Sequence, residues 1–106
     1  MTTNRNEKIS EALRQTAAEF LARDAGPQSL ITVTDVSLSA EGRRGTIFIT
    51  VLPETAEVAA LAFANRNRSE FGAFFEKRVK GAMMPRIQFA IDEGQKASDR
   101  LDDIKL

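Results

Sequence analysis

The sequence predicts an α+β fold with helices on one face of a small three-stranded sheet, in the order helix-strand-strand-helix-helix-strand. Three observations lead there. An apolar stripe at helical spacing runs through the first two dozen residues. Two β-branched, alternating segments follow at 30–38 and 44–52, joined by a short turn. Two more helical stretches then precede a last alternating segment after Pro85. Apolar periods near 3.6 and 2 distinguish the two kinds of element, and helices that cover one side of an antiparallel pair give an α+β layer. A chain of 106 residues is long enough for one domain, expected to span 1–106 with its core in 5–93 and a charged, partly ordered segment at 94–106.

In the first helix, residues 5–23, Ile9, Ala12, Leu13, Ala17, Phe20 and Leu21 share one stripe. Gly26-Pro27 should end it. In the first strand, Ile31 and Val33 have one parity, whereas Val36 and Leu38 have the other. That change points to a β-bulge near Thr34-Asp35, with Asp35 bonding to local backbone there. Ala40-Glu41-Gly42 makes the turn into a strand that alternates Ile47, Ile49 and Val51 with Thr46, Phe48 and Thr50, and the two strands should form an antiparallel hairpin. Pro53 stops the second strand. The helix over 56–66 is expected to turn Val58, Leu61 and Ala62 inward, and the one over 70–80 Phe71, Phe74, Phe75 and Val79. In the last strand Ile87, Phe89 and Ile91 alternate with Gln88 and Ala90. Because two helices separate it from the hairpin, it is free to pair parallel to a neighbour.

Composition removes several kinds of chemistry. With no Cys and no His, thiolate metal sites, disulfides, a His general base and a Ser-His-Asp triad are all excluded. Asp92-Glu93 is the nearest thing to a paired carboxylate, but adjacent residues at a strand end point apart. No enzymatic activity, cofactor or small-molecule substrate is expected. Residues 1–11 carry no apolar signal core, and no apolar run approaches the about 20 residues of a membrane span, so a cytoplasmic protein is expected. Net charge is zero, yet it is unevenly spread. Arg66, Arg68, Lys77, Arg78, Lys80 and Arg86 face only Glu70 and Glu76 within 66–86, whereas 92–106 is acidic. The plainest meaning is two solvated surfaces.

Asn67-Arg68-Ser69 is the most informative junction. Asn67 suits a left-handed helix end and Ser69 suits an N-cap, so one helix should stop and the next begin within about two residues. The first N–H groups of the second helix would then be offered to an anion such as phosphate, with Arg66 and Arg68 beside them. The alternative is a continuous, gently kinked helix with ordinary solvated arginines.

Three stretches resemble the ribosome-binding factor A family. Ile31–Ser39 with Thr46–Val51 is similar to its strand pair. Met84-Pro85-Arg86-Ile87-Gln88-Phe89-Ala90-Ile91-Asp92-Glu93 is similar to its Met-Pro-x-aliphatic-x-Phe-x-x-Asp segment, and Asn6–Leu13 fits its opening helix. The resemblance covers about residues 5–101. It implies a type II KH-like fold in which an interrupted helix, typically Ala-x-Gly, replaces the Gly-rich KH loop. Here Asn67-Arg68-Ser69 stands at that place, with neither the alanine nor the glycine. It further implies a factor that binds the immature small ribosomal subunit and assists late maturation and 5′-end processing of its rRNA, with most effect on growth in the cold.

On this basis Arg66, Asn67, Arg68, Ser69, Lys77, Arg78, Lys80 and Arg86 are the expected RNA contacts, and Arg5, Lys8, Arg14, Arg43 and Arg44 possible additional ones. The partners expected are the small ribosomal subunit and its rRNA, met by a monomer. Phe48 and Phe63 are the aromatic candidates for exposure, and both are expected to make core or subunit contacts rather than to stack on bases, so rRNA shape should matter more than base identity. The competing reading is a small non-catalytic interaction or dimerisation module that uses the open sheet face around Phe48.

Overall fold

The computed structural model describes residues 2–24 and 29–103. Helix α1 (Thr2–Asp24) leads into strands β1 (Leu30–Leu38) and β2 (Arg44–Leu52). A single 3₁₀ turn (Glu54–Ala56) opens helix α2 (Glu57–Arg66), followed by α3 (Arg68–Arg78), strand β3 (Arg86–Ile91) and helix α4 (Glu93–Asp103). The expected stop at Gly26-Pro27 lies outside the described residues.

The sheet has the order β1-β2-β3. β1 and β2 pair antiparallel, and the register slips between Val33, opposite Ile49, and Asp35, opposite Phe48. That slip is the expected bulge. It returns Val36 and Leu38 to the face of Ile31 and Val33, and the Asp35 carboxylate accepts the Val36 N–H at 2.8 Å. β3 pairs parallel to β2, with Arg44 opposite Arg86 and Ile47 opposite Phe89. Two helices separate the paired strands, as a parallel crossover requires.

All core side chains lie on one side of this sheet. Leu13, Ala17, Phe20 and Leu21 of α1 meet Ile47, Ile49 and Val51 of β2, together with Phe71 and Phe75 of α3 and Phe89 of β3. The Phe71 ring stands edge-on to Phe20 and Phe89, with centroids 5.5 and 5.9 Å away. Burying each such ring contributes about 1.5–3 kcal/mol, and edge-to-face pairs add about 0.5–1.5 kcal/mol. Phe48 and Phe63 are both half-buried.

One expectation needs correction, and one element was not expected. In α2 the inward residues are Ala60 and Ala64, with Leu61 only half-buried, Ala62 exposed and Val58 83% exposed. The small stripe faces the sheet because α2 is held close to it by polar contacts described below. The added element is the fourth helix, α4, in the C-terminal segment. Its N-terminus is capped by Asp92, whose carboxylate accepts the Gln95 N–H at 2.9 Å. Lys96 holds that first turn to the start of α2 through Glu57, 3.1 Å away. Farther along, Leu101 is 70% exposed.

Candidate nucleic-acid interface

Parallel pairing decides where the basic side chains meet. It places the starts of β2 and β3 side by side, and the Arg86 N–H donates to the Arg43 carbonyl at 2.8 Å. The hairpin loop is fixed just before that point. Gly42 takes φ +72°, and the Ser39 hydroxyl accepts the N–H groups of Arg43 and Arg44 at 3.2 Å each. Gly45 follows because a Cβ there would lie 2.7 Å from Leu38 Cδ2. Arg43, Arg44 and Arg86 are all exposed, and none has a side-chain partner among the described residues.

The α2–α3 junction stands across from them. The helices are interrupted at one residue, but not as the sequence suggested. Asn67 is at φ −100°, ψ 20°, outside the left-handed region. It stays there because its own N–H (3.1 Å) and its side-chain amide (2.8 Å) both return to the Phe63 carbonyl. Ser69 is not the N-cap. α3 already begins at Arg68, so Ser69 lies inside the first helical turn, where backbone N–H groups have no partner within the helix.

Asn65, which the sequence reading passed over, anchors this junction. Its amide oxygen accepts the Phe89 N–H at 2.9 Å, and its amide nitrogen donates to the Phe89 carbonyl at 3.1 Å. Arg68 Nε then donates to the Asn65 carbonyl at 3.0 Å, and Nη1 reaches the Ile87 carbonyl at 3.5 Å. The only signal in the sequence was a polar residue on the sheet-facing side of a helix, four before Ser69.

Between the junction and the strand starts lies an open groove of about 1000 Å³. Arg44, Arg68, Ser69 and Arg86 line it, over a floor that includes Gly45 and Gly72. Three separate chain segments thus contribute arginines to the lining of one concave surface. Arg66 is exposed at the end of α2. Lys77 and Lys80 are exposed beyond the groove lining. Arg78 is engaged elsewhere, donating to Glu19 at 2.9 Å and covering the Phe74 ring at 4.7 Å. On α1, Arg5 and Lys8 are exposed, whereas Arg14 is bound to Glu11, whose carboxyl its hydrogen bond holds below the ordinary range. None of these three lines the groove.

Asp92 sits at the far end of β3. The Thr34 hydroxyl at the bulge donates to it, and this bond first, then the Gln95 N–H, lowers its pKa. No group of three or more Asp or Glu among the described residues is arranged to hold a metal. No helix among them is long and apolar enough to cross a membrane.

An interrupted helix pair packed on a three-stranded mixed sheet, with arginines on either side of the groove at the break, defines a type II KH-like domain. The profile of one family, "Ribosome-binding factor A", matches residues 5–105, and the chain belongs to that family. The ribosome-binding factor A of Natranaerobius thermophilus is 30% identical over 112 residues, covering 96% of this chain and 80% of its own. That of Gemmatimonas aurantiaca is 29% identical, covering 92% and 70%. The crystal structure of ribosome-binding factor A from Thermus thermophilus superposes with a TM-score of 0.70 at 25% identity, over 81% of this chain and 94% of that one. Thermus thermophilus coordinates fitted into a cryo-EM map of a 30S complex superpose at 0.58 and 27% identity, over 74% and 86%.

Proposed function

We propose that this chain is a single-domain, non-catalytic assembly factor of the cytoplasm that binds the immature small ribosomal subunit through its rRNA. It assists late maturation and 5′-end processing of that rRNA, and its absence should be felt most in the cold. The observation that carries the reading is the family match over residues 5–105. The Thermus thermophilus relative in complex with 30S supports the choice of partner.

The groove supports the mode of binding. Phosphates would be held by Arg44, Arg68 and Arg86, with the first-turn N–H groups around Ser69 between them, and flanked by Arg43 and Arg66. Lys77 in the last turn of α3 and Lys80 just beyond it extend the basic surface. Arg78, Asn67 and the α1 residues Arg5, Lys8 and Arg14 contribute less, because each is either partnered or away from the groove. Affinity built on phosphate contacts falls as salt displaces it.

The test is co-sedimentation of the purified protein with immature and mature small subunits at low and moderate salt. Association that favours immature particles and weakens with salt is expected. No association at low salt by a folded protein refutes the proposal, and self-association insensitive to salt would favour a dimerisation module instead.

A further inference from the structure

β3 is one of the two edge strands of the sheet. In a parallel ladder, alternate residues direct both backbone groups to the same side. The N–H groups of Arg86 and Asp92 go to Arg43 and Ile49 of β2 or its approach, so the even-numbered positions face β2 and Phe89 faces the open edge. There, Asn65 supplies one acceptor and one donor at 2.9 and 3.1 Å. A fourth strand would supply the same pair. Aspartate could not, because it has no donor for the Phe89 carbonyl.

This bidentate contact fixes the last turn of α2 against β3, two residues before the break. Arg68, one turn later, bonds back to the Asn65 carbonyl and across to Ile87. Those bonds use two of the five N–H groups of its guanidinium and leave three. Because Arg68 lines the groove, the side that remains is available to a ligand there. We infer that Asn65 is the positioning residue of the RNA-binding junction, acting through Arg68. Its amide takes the place of a missing strand and so sets where the Arg68 guanidinium stands. The inference rests on the groove being the RNA site.

A double-mutant cycle on binding to immature small subunits tests it, using Asn65→Ala, Arg68→Ala and the pair, each first shown to be folded by circular dichroism. Loss of one charged hydrogen-bonding contact weakens binding about tenfold, and two mutations that act through one contact do not add. Each single variant should therefore bind about tenfold more weakly, and the double variant about tenfold rather than a hundredfold. Asn65→Gln, which keeps both the donor and the acceptor on an arm one carbon longer, is a milder variant for the same cycle should alanine unfold the protein. Its effect should be smaller and equally non-additive with Arg68→Ala. Hydrogen exchange of the free protein should show the Phe89 amide losing protection in Asn65→Ala. Additive losses, or an Asn65→Ala protein that binds like wild type, overturn the inference while leaving the groove reading intact. An Arg68→Ala protein that binds like wild type overturns both.

Discussion

Arg44 and Arg86 are register partners at the starts of two parallel strands, both exposed and both without a side-chain partner among the described residues. Replacing both with alanine removes no core atom and breaks no ion pair. Unfolding free energy should stay within about 0.5 kcal/mol of wild type. RNA binding should change in a particular way. If each arginine neutralises one phosphate, the log–log salt slope becomes shallower by about 1.4 for single-stranded and about 1.8 for duplex RNA. Between 50 and 200 mM salt, the affinity gap between wild type and variant should therefore narrow by about tenfold. The assay is the bound fraction in sedimentation with immature small subunits across a salt series, with Arg78→Ala alongside. Arg78 is held by Glu19 and Phe74, so its removal should leave the slope nearly unchanged and cost less than about 1 kcal/mol of stability. An unchanged slope in the double variant, or an equal shift in Arg78→Ala, would refute the assignment of the groove.

Other perturbations test the frame that holds the groove. Phe71→Ala empties a site that is 0% exposed and set among the rings of Phe20, Phe75 and Phe89, and should cost about 3–5 kcal/mol in urea denaturation. The two groove glycines should behave oppositely: Gly45→Ala brings a Cβ to 3.1 Å from the Ser37 carbonyl oxygen and to 2.7 Å from Leu38 Cδ2, a side-chain end that has to turn aside, and should lose about 1 kcal/mol. At Gly72 the added methyl meets Met84 Cγ at an ordinary 3.6 Å, and α3 should gain about 0.5–1 kcal/mol. Asp92 has its folded-state pKa lowered by Thr34 and Gln95, so its contribution is present above the ordinary aspartate value and lost as pH falls through the lowered one. Asp92→Asn should therefore melt below wild type at pH 7, and the gap should close in acid, below about pH 4.

Local patterns made most of the fold legible. The parity change in β1 located the bulge because a period of two tolerates no other account of Val33 and Val36 on one face. α2 misled because size is a poor guide in a short helix: alanines face the sheet where the backbone comes close, and Val58 is left outside. Asn67 and Ser69 misled because their usual capping roles were not used. Asn67 bonds back into α2, and α3 starts two residues too early for Ser69 to cap it. The charged C-terminal segment forms a helix because Asp92 and Lys96 fix its first turn, contacts that reach back to Thr34 and Glu57. At the site, the arginines of 66–68 could be seen as a group, but their meeting with Arg44 could not. Residues 44 and 86 become neighbours only through the parallel pairing of β2 and β3, and spacing along the chain carries no trace of that. Asn65 escaped for the same reason, since both of its partners belong to Phe89.

The two outer strands of this sheet share a property that bears on life at high protein concentration. An open strand edge is a template on which any extended chain can add, and three strands leave two of them. Here each edge carries a carboxamide or carboxylate where another chain would begin to zip: Asn65 takes both backbone groups of Phe89, and Asp35 takes the Val36 N–H at a bulge that also bends the strand. The same side chains that shape the molecule thus guard it against edge-to-edge growth into aggregates.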